Sequence, residues 1–312
     1  MTLSETGETF RAQVHRIVIG QEETITLSFL ALCLGGHVLI EGVPGTAKTL
    51  LARTIAQLVG GTFKRIQFTP DLMPSDIVGT SVYEIATSSF RMRLGPIFAN
   101  IVLADEVNRA PAKTQSALLE AMEEKQVTLE GDARPLPDPF LVLATQNPVE
   151  YEGTYPLPEA ELDRFLFKAI MRYPDATEEH AILRAHDQGQ PLSEVGGLER
   201  LPAAALADAR AEVDRVTVED SVLDYVVRIV AETRKSPDLL LGASPRAGVH
   251  LLAAARATAR LAGRAFVTPD DVAAVAPAVL RHRLILRPEA ELERFRPDDA
   301  VQAALAGVPV PR

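Results

Sequence analysis

Short apolar runs alternate with helical patterns along the first 173 or so residues of the chain. Nearly continuous apolar strands that are separated by helices are typical of a parallel sheet covered by helices on both faces. The pattern therefore predicts an α/β fold with a five-stranded parallel sheet. The predicted strands are HVLIE (37–41), FKRIQF (63–68), IVLAD (101–105), FLVLAT (140–145) and FKAIM (167–171).

The pattern changes after a loop-like stretch at 187–197, DQGQPLSEVGG. Beyond it, helical patterns rich in Ala and Leu replace the strands. One of them begins at TPDDV, where Thr268 is the predicted N-cap and Pro269 the first helical residue. We predict an α/β domain over residues 1–190 and a small, all-helical second domain over residues 191–312.

Two segments of the first domain predict hairpins inserted into the α/β frame. SVYEI and FRMRL flank the tetrapeptide ATSS, and Phe90, Met92 and Leu94 alternate with two arginines in the second of these strands. In the same way, QVTLE and ARPLP flank Gly131 and Asp132.

Composition narrows the class of protein and of partner. The chain has 312 residues, 47% of them hydrophobic and 24% charged, which fits a soluble globular protein with a sizeable core. Its net charge of −10 disfavours non-specific nucleic-acid binding, which depends on Lys and Arg side chains that neutralise phosphates. A local basic face remains compatible with this balance.

The single cysteine and the lack of a long apolar segment argue against a disulfide-linked, thiolate-metal or membrane-spanning protein. Cys33 cannot form an intramolecular disulfide or a thiolate metal cluster, and its apolar surroundings favour a buried, inert thiol. The longest mostly apolar stretch, 27–40, is too short and too broken to span a bilayer. The first residues lack a basic segment followed by an apolar core. We expect a cytoplasmic protein without membrane insertion.

The stretch EGVPGTAKT (41–49) lies between a predicted strand and the helical pattern KTLLARTIAQLV. A phosphate loop needs glycines whose N–H groups converge on the anion, a lysine for the β and γ phosphates, and a hydroxyl for Mg²⁺. A turn with an accidental lysine is the alternative, but the strand and the helix favour a phosphate loop. Alanine replaces the usual glycine before the lysine; we expect helical dihedral angles there and no effect. The predicted nucleotide-binding residues are Gly42, Val43, Pro44, Gly45, Thr46, Ala47, Lys48, Thr49 and Leu50, with Thr49 also a predicted Mg²⁺ ligand.

Polar residues end two further predicted strands. Asp105 and Glu106 follow a mostly apolar run, at the carboxyl end of a strand, where ligands bind in open α/β sheets. Asp105 can hold Mg²⁺, and Glu106 can polarise an attacking water as a general base. Solvated surface is the alternative for two adjacent acids, but the upstream phosphate loop favours catalysis. Gln146 and Asn147 end another strand, where an amide can orient water against the γ phosphate.

Two arginines are candidates for contact with the phosphates. Arg164, in PEAELDRF, precedes a strand and can stabilise transition-state charge, including that of a neighbouring molecule. A surface salt bridge is the alternative. Arg246 lies in the first helical turn after Ser244 and Pro245, where the helix dipole disfavours a cation. We therefore expect a compensating negative group, such as a phosphate, beside Arg246.

These elements, in this order, resemble the AAA+ ATPases and, more narrowly, the MoxR family. The resemblance rests on GGHVLIEGVPGTAKTLLAR, GPIFANIVLADEVNRAPAKTQSALLEAMEE, LVLATQNPVEYEGTYPLPEAELDRF and GASPRA, and it covers nearly the whole chain. The alanine before the lysine is similar to the MoxR form of the loop. The resemblance implies a nucleotide domain with a helical lid, usually assembled as a hexameric ring with ATP between subunits.

The resemblance also implies a role for each candidate residue. The two hairpins look like the helix-2 insert and the hairpin before the first sensor. The implied roles are the first nucleotide motif for Lys48 and Thr49, the second for Asp105 and Glu106, the γ-phosphate sensor for Asn147, the finger for Arg164, the second sensor for Arg246, and adenine contact for Val18, Ile19 and Gly20.

The family resemblance implies an ATP-hydrolysing, chaperone-like remodeller that helps to mature protein complexes or to insert metal cofactors. Its partners would be protein clients and a protein with a von Willebrand factor A domain. One rival is a nucleic-acid motor whose inserted hairpins track a strand. Another is a nucleotide-gated binding module that hydrolyses little ATP, which Glu106 disfavours. The absence of an Asn-Lys-x-Asp segment favours adenine over guanine.

The remaining polar residues have structural interpretations. Arg109 either faces a neighbouring subunit or begins a solvated helix, and Val18 and Ile19 are also compatible with core positions. We expect His37 to be structural and His180 and His186 to be exposed. A C-terminal arginine cluster is interpreted first as a solvated face and second as a partner or nucleic-acid patch; it comprises Arg281, Arg283, Arg287, Arg294 and Arg296.

Overall fold

A computed structural model describes residues 1–86, 88–147, 155–188 and 197–311. Its central feature is a five-stranded sheet in which every neighbouring pair of strands is parallel. The strand order is 63–67, 101–105, 141–146, 38–42, 167–171. This arrangement confirms the predicted fold and all five predicted strands. The sheet strands are β1 (Val38–Gly42), β2 (Phe63–Gln67), β5 (Ile101–Asp105), β8 (Leu141–Gln146) and β9 (Phe167–Met171).

The two predicted hairpins are present as separate antiparallel pairs. The first consists of β3 (Gly79–Glu84) and β4 (Ser89–Leu94), and the second of β6 (Gln126–Leu129) and β7 (Asp132–Pro135). In the first hairpin, the rings of a cross-strand tyrosine and phenylalanine pack edge to face with centroids 5.2 Å apart. In the second, Gly131 has a φ of 91°, a left-handed conformation that favours glycine at the turn.

Helices connect the strands and make up most of the region that follows them. A 3₁₀ turn, Val107–Arg109, follows β5. The helices of the described ranges are α1 (Leu3–His15), α2 (Glu22–Leu34), α3 (Lys48–Leu58), α4 (Pro74–Val78), α5 (Ala112–Glu124), α6 (Glu159–Leu162), α7 (Ala176–Asp187), α8 (Ala205–Asp214), α9 (Asp220–Thr233), α10 (Pro245–Leu261), α11 (Pro269–Leu280), α12 (Pro288–Leu292) and α13 (Pro297–Gly307).

Capping residues fix where the C-terminal helices begin. Ser244 is the N-cap of α10, and its hydroxyl accepts a hydrogen bond from the Ala247 N–H group at 3.3 Å. Thr268 is the N-cap of α11, with Pro269 at the first helical position and Asp271 completing a capping box, as predicted for this start. None of the helices in the described ranges is long and apolar enough to cross a membrane.

The sheet separates two apolar layers. Alternate residues of each strand point to opposite faces, so Val38 and Ile40 lie in one buried cluster and Leu39 in the other. The first cluster contains side chains of α1, α2 and α3 and continues into the C-terminal helices through residues such as Leu251. The second contains Leu118 and other side chains of α5. One continuous core therefore joins one face of the sheet to the C-terminal helices.

The C-terminal region is helical, as expected, but it also contains a small antiparallel sheet. This sheet consists of β10 (Leu239–Leu241) and β11 (Ile285–Leu286). Strands of two or three residues are too short to leave a periodic signal in the sequence. The predicted domain boundary between residues 190 and 191 lies outside the described residues.

The C-terminal arginines do not form a single solvated face. Arg287, Arg294 and Arg296 are exposed, but Arg281 and Arg283 are each only 7% exposed. The solvated interpretation is therefore wrong for these two. Their guanidinium groups satisfy backbone carbonyl groups at the start of β9 and pair with carboxylates, which compensates for burial of the charge.

Cys33 and His37 are buried, as expected from their positions. Burial raises the pKa of the Cys33 thiol to about 12, so the reactive thiolate is disfavoured. The His37 Nδ1 atom accepts a hydrogen bond from the Val142 N–H group at 3.0 Å, so Nε2 must carry the proton that faces the Met122 carbonyl oxygen at 3.1 Å. Burial lowers the pKa of His37 to about 4, and the neutral ring joins α5 to β8.

We expect His37→Phe to lower the free energy of unfolding at pH 7 by about 1–3 kcal/mol, because two buried backbone groups lose their partner. The unfolded chain binds a proton at His37 near pH 6.5, whereas the folded chain does so only near 4, so acidification through this window destabilises the wild type. The variant should lose less stability than the wild type between pH 6.5 and 4. Urea unfolding at several pH values measures both effects. His180→Phe, at an exposed position, serves as the control. If the free energy of unfolding changes equally with pH in His37→Phe and in the wild type, His37 is not a buried, neutral histidine.

Candidate nucleotide site

A cavity of about 1020 Å³ lies at the carboxyl edge of the central sheet. Its walls come from the loop after β1 and from the ends of β5 and β8. In the sheet, β8 lies between β5 and β1. Open α/β sheets bind ligands at this edge. The cavity brings together most of the predicted site residues: Val18, Ile19, Pro44, Gly45, Thr46, Ala47, Lys48, Thr49, Leu50, Asp105, Glu106 and Asn147.

The loop between β1 and α3 has the geometry that its glycines require. Gly45 has a φ of 83°, a conformation open to glycine at little cost. At Gly42, a Cβ atom would meet the carbonyl oxygen of Met171 at 2.8 Å, so only glycine fits against β9. The Thr46 hydroxyl donates to the Val43 carbonyl oxygen at 3.0 Å and closes the loop. Gly42 and Val43 are not among the cavity-lining residues. They contribute to the loop through their contacts with Met171 and Thr46.

Ala47 departs from the expected conformation. It is the N-cap of α3 with φ 64° and ψ 21°, in the left-handed region, so the prediction of helical dihedral angles is wrong. An L-residue in this region is strained by roughly 1–2 kcal/mol because its Cβ crowds the following carbonyl group. The alanine is therefore tolerated at a cost. The dihedral angle depends on how β1 and α3 are held, and a single sequence does not give it.

Lys48 is tied to its own loop. The Lys48 ammonium group donates to the Gly42 carbonyl oxygen at 2.5 Å. Burial lowers the pKa of Lys48, while the nearby carboxylates of Asp105 and Glu106 act in the opposite direction. The charge of Lys48 thus lies between the loop and two acids. A phosphate at this place can accept hydrogen bonds from the ammonium group.

Asp105 and Glu106 are linked through Thr145 of β8. The Thr145 hydroxyl donates to Asp105 Oδ1 at 2.6 Å and accepts from the Glu106 N–H group at 2.8 Å. The second oxygen of Asp105 pairs with Arg65 of β2 at 2.6 Å. This guanidinium provides positive charge at the carboxylate that we expect to face Mg²⁺.

Glu106 is held in a specific position. Its φ of 58° and ψ of 50° lie in the left-handed region, a strained conformation that is common at functional sites. Its Oε2 atom accepts a hydrogen bond from Gln67 at 2.7 Å and lies 3.2 Å from the guanidinium of Arg109. Arg109 therefore pairs within its own chain, beside the predicted general base.

An apolar wall closes the other side of the cavity. Val18 and Ile19, from the segment after α1, line the cavity together with Ile182 and Ala185 of α7. Gly20 is not among the lining residues; its φ is 72°, and a Cβ there would meet the Glu178 carboxylate within 3 Å. Such a wall suits a flat, apolar group such as a nucleobase.

Neither Arg164 nor Arg246 is among the lining residues of the cavity. Instead, both arginines meet Glu123 of α5. Arg164 Nε lies 3.1 Å from one carboxylate oxygen of Glu123, and Arg246 Nη2 lies 2.9 Å from the other. The negative group expected beside Arg246 is thus a carboxylate in this chain.

Several site residues were missed in the sequence. Arg65, Gln67 and Thr145 reach Asp105 and Glu106 because β2 and β8 flank β5 in the sheet. Strand order is not visible in a single sequence, although polar residues near the ends of apolar runs were a usable signal. Ile182, on α7, had only the weak signal of apolar helical spacing.

Comparisons with known proteins agree with this architecture. The family model described as "ATPase family associated with various cellular activities (AAA)" matches residues 37–167, and the AAA lid domain matches residues 231–304. The chain is 46% identical to Chaperone MoxR1 of Mycobacterium tuberculosis over 96% of this chain and 81% of that protein. It belongs to the MoxR family of AAA+ ATPases.

Two further relatives are similar to this chain over nearly its whole length. Protein YeaC of Bacillus subtilis is 48% identical over 96% of this chain and 92% of its own length. A solved structure from Cytophaga hutchinsonii has a TM-score of 0.90 and 40% identity, covering 99% of this chain and 96% of that one. Family membership confirms the resemblance drawn from the motifs, and an AAA+ ATPase family implies nucleotide binding.

The conformation of Ala47 leads to a prediction of opposite signs at two alanines. Ala47→Gly should raise the free energy of unfolding by up to about 1 kcal/mol, because relief of left-handed strain exceeds the added backbone entropy. Ala52→Gly, in the buried interior of α3, should lower it by at least about 1 kcal/mol.

Thermal and urea unfolding without nucleotide measure both values, and calorimetric titration with ATP checks that Ala47→Gly still binds nucleotide. A loss of stability in Ala47→Gly that equals the loss in Ala52→Gly would show that the left-handed conformation of Ala47 carries no strain.

Proposed function

We propose that this ATPase hydrolyses Mg²⁺-bound ATP to ADP and phosphate at sites that two neighbouring chains complete. Within one chain, the support is the grouping of a lysine, a hydroxyl, two acids and an amide around one cavity. These are Lys48, Thr49, Asp105, Glu106 and Asn147. All are residue types that phosphoryl transfer to water uses.

The residues fit a magnesium ion that is held partly by the nucleotide. Thr49 and Asp105 line the same cavity and offer oxygen ligands, which Mg²⁺ prefers. Arg65 already places a positive charge against Asp105. When bound, Mg²⁺ would neutralise charge that develops on the phosphates.

Each remaining residue has a role in the proposed reaction. Lys48 would exchange its loop carbonyl for the β and γ phosphates. Glu106 would accept the proton of the attacking water, and this requires its carboxylate to turn away from Gln67 and Arg109. Asn147 would orient that water at the end of β8.

The placement of Arg164 and Arg246 carries the proposal of a shared site. Both side chains lie outside the cavity of their own chain, and both face the same carboxylate. A pair of arginines that does not line the cavity of its own chain is suited to the γ phosphate of a neighbouring chain. We propose a ring, six-membered by the resemblance to AAA+ assemblies, in which each chain supplies these arginines to the next.

The work that hydrolysis drives is proposed from relatives. Because a 46%-identical relative is named Chaperone MoxR1, we propose a chaperone-like remodeller of client proteins. Maturation of protein complexes or insertion of metal cofactors, in the cytoplasm and with a von Willebrand factor A domain partner, is the corresponding role.

A nucleic-acid motor remains the second candidate because of one observation. The hairpin of β3 and β4 exposes Arg91, Arg93, Tyr83 and Phe90, a mixture that can stack bases and attract phosphates. The net charge of −10 opposes this role. Stimulation of hydrolysis by DNA at moderate salt would favour the motor over the remodeller.

The shared site predicts that ATP turnover per chain rises with protein concentration as chains assemble. Arg164→Ala should lower turnover roughly 10³-fold at every concentration, since the transition-state charge loses its finger. Steady-state turnover and sizing, measured together, check this. Arg228→Ala, an exposed arginine on α9, is the control and should behave as wild type. Turnover that is flat with concentration and insensitive to Arg164→Ala, from a protein that sizes as a monomer, would eliminate the ring.

Glu106→Gln should lower turnover by roughly 10²–10⁴-fold while ATP still binds, because the amide keeps the size of the side chain but cannot accept the proton. Single-turnover hydrolysis and calorimetric ATP titration separate the two effects. Unchanged turnover would remove Glu106 from the reaction and favour a nucleotide-gated binding module.

A further inference from the structure

A partly buried polar cluster joins the residue before Arg164 to the helix that carries Arg246. Its centre is the carboxylate of Asp163. One oxygen of Asp163 accepts a hydrogen bond from Arg283 Nε at 2.6 Å, and the other accepts from the Ser244 hydroxyl at 2.8 Å. Both oxygens are therefore engaged, one by each of two separate C-terminal segments.

The contact with Ser244 reaches Arg246 directly. Ser244 is the N-cap of α10, and its hydroxyl also accepts from the Ala247 N–H group at 3.3 Å. Arg246 lies in the first turn that this cap defines. Asp163 Oδ2 thus holds the N-cap residue Ser244 in place. The position of the N-cap in turn sets the direction of the first turn of α10.

Arg283 fixes a second point on the same helix. Its side chain is only 2% exposed, and Nη2 donates to the Phe165 carbonyl oxygen at 2.6 Å and to His250 Nδ1 at 2.5 Å. His250 lies one turn after Arg246 on α10. Because Nδ1 accepts this hydrogen bond, His250 is neutral. Burial, the larger cause, and the charge of Arg283, the second, lower the pKa of His250 to about 4.

Asp163 is the counter-charge that this buried guanidinium requires. The group is almost completely buried, and Asp163 is the carboxylate that forms an ion pair with it, at 2.6 Å. Burial alone would raise the pKa of the Asp163 carboxyl, but hydrogen bonds from Arg283 and Ser244 lower it. Asp163 is therefore ionised at neutral pH.

The cluster leaves the two arginines little independent freedom. Arg164 follows Asp163 directly, and Arg246 lies two residues after Ser244, so both are close to the same carboxylate. Their guanidinium groups converge on Glu123, at 3.1 Å and 2.9 Å from its two oxygens. The two side chains are held as a pair although they come from distant parts of the chain.

We infer that Asp163 is a positioning residue that fixes Arg164 and Arg246 as one unit for the nucleotide of the neighbouring chain. This inference rests on the proposed function, in which the arginines act between chains. Asp163 itself is not among the residues that line the nucleotide cavity. Loss of its charge would weaken the contact that holds Ser244 and remove the carboxylate that pairs with Arg283, so the two arginines would no longer share one geometry.

A mixing experiment with full-length chains tests this role. Lys48→Ala removes nucleotide binding from a chain but leaves its arginines, and Arg164→Ala removes the finger but leaves the nucleotide site. Each variant alone should turn over little ATP, and their mixture should recover turnover at interfaces where the Lys48→Ala chain supplies the arginines. This parent mixture is the reference for Asp163→Asn.

Asp163→Asn is then placed in one partner at a time. In the Lys48→Ala chain it should lower the recovered turnover by roughly 10–10²-fold, the scale of a misplaced catalytic group, without changing the KM for ATP. In the Arg164→Ala chain it should have little effect, because the arginines of that chain do not serve the working site. A solely structural role would not produce this difference between the two chains.

Asp271→Asn is the matched control, because Asp271 is a buried C-terminal carboxylate that pairs with Arg264 at 2.5 Å and lies outside the cluster. In the Lys48→Ala chain it should leave recovered turnover unchanged, and thermal unfolding checks that each variant folds.

Equal losses with Asp163→Asn in either chain, or no loss in the Lys48→Ala chain, would overturn the positioning role alone. A parent mixture that recovers nothing would contradict the shared site, and with it this inference.

Discussion

The ion pair between the buried Arg283 and the partly buried Asp163 is the constraint on which the arrangement of the arginines depends. A guanidinium removed from water is costly unless nearly all its donors are satisfied. Arg283 meets this condition where the segment just before β9 and helix α10 come together, because its partners Asp163 and Phe165 lie in that segment and His250 lies on α10. The ion pair therefore fixes how the C-terminal helices approach the sheet, and with it where Arg164 and Arg246 point.

The nucleotide site depends on contacts among its own polar groups and on strained backbone conformations. Its polar groups contact one another: Lys48 with its loop carbonyl, Asp105 with Arg65, and Glu106 with Gln67. Backbone strain accumulates at two positions of the same site, Ala47 and Glu106, where left-handed angles are imposed on residues other than glycine. Buried apolar clusters pack on both faces of the sheet whose strand ends carry this site.

The sequence predicted what depends on local spacing and failed where distant segments meet. The phosphate loop, the acids after β5 and the hairpins follow from residue order, and the structure contains these elements. The roles of Arg65, Gln67 and Glu123 depend on strand order and helix packing, which no local pattern encodes. Arg283 was misread because charge alone suggests solvent, whereas its carbonyl and carboxylate partners come from segments that are far away in the sequence.

The central claim is that one chain's arginines complete the nucleotide site of the next. An experimental structure of the assembled protein with Mg²⁺ and a non-hydrolysable ATP analogue tests this most directly. The account predicts that the guanidinium groups of Arg164 and Arg246 leave Glu123 and lie within hydrogen-bond distance of the γ phosphate bound to the neighbouring chain. Arginines that stay on Glu123 in every subunit, or that reach the γ phosphate of their own chain, would contradict it.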